Sequence, residues 1–354
     1  MKRQANIELL RGVLMFMIVM VHLTGNGVLD DKNPISYLET NWLIANLIDA
    51  ICYPAVNCFI LISGYFGLRP TIRKFMILDV PIILYGIIIF LLLDNYSVGG
   101  WVRALFPVLS NSYWFLTNYF LLLIAAPFLN SIIECVDKRK LHIILLITLL
   151  LFVLIPSLTI FRLAEPRGMD FISFSVLYLI GRYIKINDLR LTRRTSAILY
   201  ILSTILCFTL TVIMAYLMGI NHGWKSHFYA YNNVLVYIQA ISLFLFFRQI
   251  SLGERICKVV CYLSPSFFYI YIIHEAPAIH YNLYSWINSN SYYYSEWFWL
   301  HTLISAIVVF CICLLIDIIL RRFLASKLIE KIVIVLENFS YLIINRVVVL
   351  IDRL

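Results

Sequence analysis

Apolar runs long enough to cross a bilayer recur along this chain, and short basic clusters separate them. A helical span needs about 20 mostly apolar residues. Of the 354 residues, 62% are hydrophobic and only 13% charged, more apolar surface than a soluble domain can bury. The pattern predicts an all-α, polytopic helical bundle of about ten transmembrane helices. The net charge of +9 does not point to nucleic acid, because the basic residues lie in short clusters between apolar runs, where they carry topology. No Gly-rich P-loop with a lysine is present. The eight cysteines include no C-x-x-C pair and read as small buried hydrophobes rather than metal ligands.

In order, spans are expected at Ile7 to Leu23, Trp42 to Phe66, Phe75 to Leu93, Tyr113 to Glu134 and Leu141 to Phe161, followed by a short one at Phe171 to Ile186. Four more follow at Thr195 to Met218, Ala230 to Phe247, Cys261 to Tyr284 and Trp297 to Leu320. Lys32, Arg103, Arg162, Arg167 and Lys225 fall in the loops of one side, leaving 23 of the 28 Lys and Arg on the other side or in the tail. That bias places both termini in the cytoplasm. The division expected is a transmembrane domain over 1–328 and an amphipathic, interfacial helix over 329–354. The apolar run after Met1-Lys2-Arg3 lacks a small-residue cleavage site, so it reads as a retained helix.

The first run is too polar for a plain anchor, since it carries Glu8, Arg11 and His22. His22 follows Arg11 by eleven positions, which at about 100° per residue is three turns plus about 20°. The two side chains share a face about 16 Å apart along the axis, and Glu8 lies one turn before Arg11, close enough to pair. Ionisable groups at membrane depth are costly and mark sites. The alternative is a snorkelling Arg11 and a His22 satisfied by a neighbouring helix. A neutral imidazole can take the proton of a hydroxyl as it attacks an acyl carbonyl. An arginine fork suits phosphate or pyrophosphate, with Glu8 to orient it.

Other candidates carry two readings each. Arg69, Arg73 and Lys74 follow ISGYF and read as positive-inside charge or as part of an anion site. Trp114, Asn118 and Tyr119 read as an interfacial belt or as a surface for stacking a sugar. His274 and Glu275 contribute to a polar pocket or lie at the outer interface. His142, His222, His227, His280 and His301 have no evident partner in the sequence and are assigned no role.

With these residues in view, the chain resembles the membrane acyltransferase-3 family of bacterial integral-membrane O-acyltransferases. The resemblance rests on ELLRGVLMFMIVMVH, NCFILISGYF with Arg69 and Arg73 after it, YWFLTNYFLLLIAAPFLN, and SPSFFYIYIIHEAP, which together span about residues 6 to 320. It implies a multi-pass protein of the bacterial cytoplasmic membrane. The implied reaction moves an acyl group, usually acetyl, from cytoplasmic acyl-CoA to a hydroxyl of an extracytoplasmic surface glycan or lipid-linked sugar. Acetyl-CoA is then a substrate, and no permanent cofactor or metal is implied. His22 would be the general base, Arg11 a catalytic or CoA-orienting residue, and Arg69 and Arg73 donor contacts. A lipid-linked sugar flippase or transporter, or a sensory membrane domain, would use the same polar stripe without consuming acyl-CoA.

Overall fold

The computed structural model describes residues 4–29, 38–93, 97–159, 163–165, 167–218 and 227–351. Asp30, Asp31, Lys32, Arg162, His222 and Lys225, which the sequence places in loops, lie outside the described residues. The fold is all-helical. Its helices in chain order are α1 (Ala5–His22), α2 (Thr40–Cys52), α3 (Ala55–Phe66), α4 (Ile72–Leu93), α5 (Val98–Leu105), α6 (Trp114–Cys135), α7 (Lys138–Leu149) and α8 (Ile155–Leu158). They continue as α9 (Phe171–Ile186), α10 (Arg193–Met218), α11 (Val234–Phe247), α12 (Glu254–His274), α13 (Pro277–Trp286), α14 (Ser289–Tyr293), α15 (Phe298–Asp317) and α16 (Ser326–Ile351).

Among the described residues, nine helical segments are long and apolar enough to cross a membrane. The sixth of the ten expected spans is α9, whose 16 residues reach about 24 Å, short of a hydrocarbon core of about 30 Å. Instead of facing lipid, α9 sits inside the bundle, with Phe174, Val176, Leu177, Tyr178 and Ile184 buried. Two glycines let it approach α3 closely. A Cβ on Gly64 would lie 2.2 Å from the Tyr178 carbonyl oxygen, and one on Gly181 would lie 2.3 Å from that of Leu61. Small residues at a crossing allow backbones to come together where lipid supplies no hydrophobic drive.

The first helix continues past its expected end as a π-helical turn, Leu23–Val28, so His22 stands at the junction. The ninth expected span is displaced: α12 begins at Glu254, ends at His274, and is followed by a break at Glu275 and Ala276. Pro277 then opens α13, where its missing N–H is no loss. Apolar residues continue past the break, so hydropathy alone merges the two helices.

A charged knot ties three spans. Asp317 on α15 is fully buried and takes both teeth of the Arg321 fork at 2.7 Å, plus the Tyr85 hydroxyl of α4 at 2.8 Å. Arg321 also covers the Tyr269 ring of α12 and donates to the Pro265 carbonyl. A buried ion pair survives when its remaining donors and acceptors are satisfied, as here. The tail helix α16 packs along α4, with Arg73 bonded to Glu337 at 2.9 Å.

One end of the bundle gathers the basic residues. Asn6 donates to the carbonyls of Phe247 and Arg248, and Arg248 donates to the Leu189 carbonyl and the Asp188 carboxylate. The hydrogen bond from Arg190 outweighs desolvation and, with a smaller contribution from the Arg248 hydrogen bond, holds the Asp188 carboxyl below the usual carboxylate range. His274 lies at the opposite end of α12 from this basic face.

Candidate active site

Helices α1 and α12 pack side by side, with Gly12 against the Phe267 ring. The pairing brings the end of α1 to the end of α12. His22 Nδ1 lies 2.9 Å from His274 Nε2 and 3.1 Å from Glu275 Oε1. His274 Nδ1 lies 2.6 Å from the Ile270 carbonyl oxygen, which can only accept, so that nitrogen carries hydrogen. The Nε2 of a neutral His274 is therefore an acceptor, and His22 donates from Nδ1 to it, with the Glu275 carboxylate beside that nitrogen but not hydrogen-bonded to it. The His22 Nε2 is left with its lone pair. On the far side of Glu275, Oε2 accepts from His280 Nδ1 at 3.1 Å. His274 is 1% exposed, so this network is interior and not an outer belt. His274 and Glu275 thus join the site, in contact with His22 itself.

His22 borders a cavity with about 520 Å³ of empty space, its open mouth included. One wall is aliphatic, built from Met15, Ile18, Val21, Ala55 and Val56. The other is aromatic. Tyr53 stacks on Tyr231 at 4.7 Å, and Tyr231 stacks on Trp114 at 5.4 Å, giving a continuous ring surface. Trp114 therefore lines the cavity. Asn118 does not: its amide is spent on the carbonyls of Trp114 and Met169. Tyr119 stacks behind Phe115, which itself reaches the cavity. Tyr53 and Tyr231 have no motif to mark them, since aromatic residues are abundant throughout the chain, and Tyr271 lies in SPSFFYIYIIHEAP without being singled out there.

A further buried acid lies close by. Thr24, two residues past His22, hydrogen-bonds Asp49 of α2, and Asp49 is 6% exposed. The remaining histidines make separate contacts. His227 pairs with the Ser157 carbonyl, His301 stacks on Tyr292, and His142 meets the Tyr183 ring edge-on. His280 alone of the unassigned histidines within the described residues reaches the site, and its neighbours in the sequence give no sign of it.

The helical stretch Ala5–His22 is unbroken, so Arg11 stays about 16 Å from His22 toward the basic face. Glu8 and Arg11 do pair, at 3.6 Å, with Glu8 buried. Arg69, Arg73 and Lys74 are exposed. Arg73 is bound to Glu337, and Lys74 folds back on the Arg69 carbonyl.

A second set of cations, which sequence reasoning did not single out, converges on Tyr65 and Gly67 at the end of α3. Arg182 is 16% exposed in its side chain, and its Nη1 rests where Gly67 leaves room, 2.7 Å from the point a Cβ on that glycine would occupy. Its Nε is buried without a hydrogen-bond partner, and Glu134 is 3.8 Å from Nη2. Lys185 Nζ lies 4.9 Å from the Tyr65 ring centre and the Arg248 guanidinium 5.5 Å. The turn that follows this ring is pinned: Leu68 N–H donates to the Tyr178 hydroxyl, which donates to Asn130.

A family model described as an acyltransferase domain matches residues 4–318. No curated protein and no solved structure matches the chain.

Proposed function

Because the chain belongs to the acyltransferase 3 family of membrane proteins, we propose that it moves an acetyl group from cytoplasmic acetyl-CoA to a hydroxyl of an extracytoplasmic surface glycan or lipid-linked sugar. The setting is the bacterial cytoplasmic membrane, with the basic face and both termini in the cytoplasm. The observation that carries the reading is the fixed tautomer of His22. Its Nδ1 is held by His274 with the Glu275 charge beside it, which leaves Nε2 with its lone pair, and His22 lines the cavity. A base oriented by a third group is the arrangement that activates a hydroxyl nucleophile.

In this reading the acceptor lies on the aromatic wall, where Trp114, Tyr231 and Tyr53 offer faces for a sugar ring. The acyl group enters the aliphatic half. His22 takes the hydroxyl proton on Nε2 as the oxygen attacks the thioester carbon, the oxygen–carbon bond forms, and the carbon–sulfur bond breaks to release the thiolate. Glu275 stabilises the imidazolium that results, as a carboxylate does beside a catalytic histidine. The donor phosphates occupy the basic end, where Arg11 and the Arg182, Lys185 and Arg248 group supply forks and point charge. Arg69, Arg73 and Lys74 form an outer rim that attracts the anion. Helix α16, the described part of the interfacial tail, acts as a strap on α4.

The experiment is release of free CoA from acetyl-CoA by purified protein in lipid, with and without bacterial capsular and O-polysaccharides. Glycan-dependent release that disappears in His22→Ala, with helicity and thermal unfolding retained, is the expected result. Full activity in His22→Ala removes the base assignment. Absence of release by folded wild-type protein with every glycan removes acyl transfer, as a flippase or sensor consumes no acyl-CoA.

A further inference from the structure

His22, His274 and Glu275 gather three metal-binding atoms where α1 meets the end of α12. His22 Nδ1 lies 2.9 Å from His274 Nε2 and 3.1 Å from Glu275 Oε1. One ligand atom from each residue falls within 4.8 Å of the other two. Glu275 Oε1 is buried and has no hydrogen-bond partner among the described residues. The far atoms of the same two side chains are tied. His274 Nδ1 donates to the Ile270 carbonyl at 2.6 Å, and Glu275 Oε2 accepts from His280 Nδ1 at 3.1 Å. Outer bonds of this kind, a carbonyl behind a histidine and a donor behind a carboxylate, are what orient the ligands of a metal. Base orientation accounts for His274, which accepts from His22. It leaves the Oε1 atom of a carboxylate buried and unsatisfied, which is costly.

We propose that His22 Nδ1, His274 Nε2 and Glu275 Oε1 bind zinc or a similar divalent transition metal, and that the bound metal switches off acyl transfer. The site stands on the three ligand atoms alone, whereas the switching rests on His22 acting as the base. Two imidazoles and a carboxylate suit zinc and its transition-metal neighbours, while magnesium and calcium take oxygen ligands. Bonds of about 2.0–2.1 Å set the ligand atoms of a tetrahedral zinc about 3.3 Å apart. The cluster therefore opens only slightly from its separations of 2.9 and 3.1 Å. His22 stands at the start of a π-helical turn and Glu275 in the break before α13, so both can shift without unwinding a helix. Water takes the fourth position. The metal needs the lone pair of Nδ1, so the hydrogen His22 carries there moves through water to Nε2. The imidazole stays neutral and no proton is gained or lost. The nitrogen that takes the hydroxyl proton in acyl transfer then already carries hydrogen, and the base is gone.

An ion has a way in, because His22 lines the open-mouthed cavity and its side chain is 18% exposed. Among the described residues, Glu275 pairs with histidines and with no Lys or Arg, so no side-chain cation competes for its charge. The cluster lies at the end of α12 opposite the basic face. In the orientation proposed above, the metal reaches it from the acceptor side.

The test uses the full chain in lipid nanodiscs, free of any histidine tag, titrated with zinc chloride. Calorimetry should give one zinc per chain. Zinc-edge X-ray absorption of the wild type should show two imidazole nitrogens and a carboxylate oxygen at about 2.0–2.2 Å. His274→Ala and Glu275→Gln should each weaken zinc at least about tenfold, with helicity and thermal unfolding retained. The absorption spectrum decides the ligands even where a variant does not fold. Transfer is followed as labelled acetyl on the polysaccharide panel, because zinc also binds the thiol of released CoA. Zinc should abolish transfer in step with occupancy, EDTA should restore it, and magnesium at the same concentration should leave it unchanged. A spectrum without two imidazoles, or zinc held equally well by both folded variants, overturns the site. Unchanged or faster transfer with the site filled overturns the switching. Wild-type protein that binds zinc through these ligands but transfers no acetyl in its absence fails at the proposed reaction. The switching then falls with that reaction, and the site stands.

Discussion

Replacing Glu275 by Gln tests the arrangement around His22 most directly. The substitution keeps shape and a hydrogen-bonding oxygen but removes the charge 3.1 Å from His22 Nδ1. At an effective dielectric near 20, a unit charge pair at that separation interacts by about 5 kcal/mol. This is an upper bound, since His274 offers His22 an acceptor at 2.9 Å that the variant retains. A loss of about 3–4 kcal/mol of transition-state stabilisation corresponds to a fall in kcat of roughly 10²–10³-fold. The fall belongs in kcat, because the imidazolium forms only as the hydroxyl attacks. The amide can also turn its NH₂ toward His22 and favour the tautomer that carries hydrogen on Nε2, which lowers the rate further. The assay is steady-state CoA release at saturating acetyl-CoA, beside circular dichroism and thermal unfolding. A kcat within about threefold of wild type in folded Glu275→Gln would refute the role given to this carboxylate.

Arg182→Ala should raise the KM for acetyl-CoA about tenfold or more, because a charge-assisted hydrogen bond is worth about 1.5–3 kcal/mol, whereas Arg73→Ala should change it less than about threefold. Equal effects in the two variants would return the donor site to the segment after ISGYF. Gly64→Ala sets a Cβ 2.2 Å from the Tyr178 carbonyl oxygen and must spread α3 from α9, at a cost of about 1–3 kcal/mol. The melting temperature should therefore fall and KM for the donor should rise together, and an unchanged melting temperature would contradict the close crossing. For Asp188, whose carboxyl is held low by Arg190, the stabilising contribution is present above the unfolded carboxylate pKa of about 4 and is lost as pH falls through the depressed value. The melting-temperature gap between wild type and Asp188→Asn should stay constant from about pH 5 to about pH 8 and close in more acid solution.

Much of the fold is legible in the amino-acid order. Spans of lipid length and the bias of basic residues follow from local composition, as does the shared face of Glu8, Arg11 and His22, which is a property of one helix. The ninth span is displaced from its expected place because its two helices are both apolar, and the break depends on Pro277 opening α13. The basic clusters are harder to read. Arg73 and Arg182 look alike in sequence, each near a helix end among other cations. One is tied to Glu337 at an exposed edge and the other is half-buried beside Gly67.

The sequence by itself determined an all-helical membrane protein whose first helix carries a polar stripe, because periodicity and transfer free energy act on neighbours along the chain. Only the tertiary structure decided what that stripe meets. His22 and His274 are 252 positions apart, and nothing local requires their rings to touch. Their contact follows from the packing of α1 on α12 and from the turn at Glu275. The same packing fixes the tautomer of His22, sets Glu275 between two imidazoles, and assembles the aromatic wall from helices distant in sequence. Chemistry of this kind depends on distances of about 3 Å between separate elements, and side-chain packing alone sets those distances.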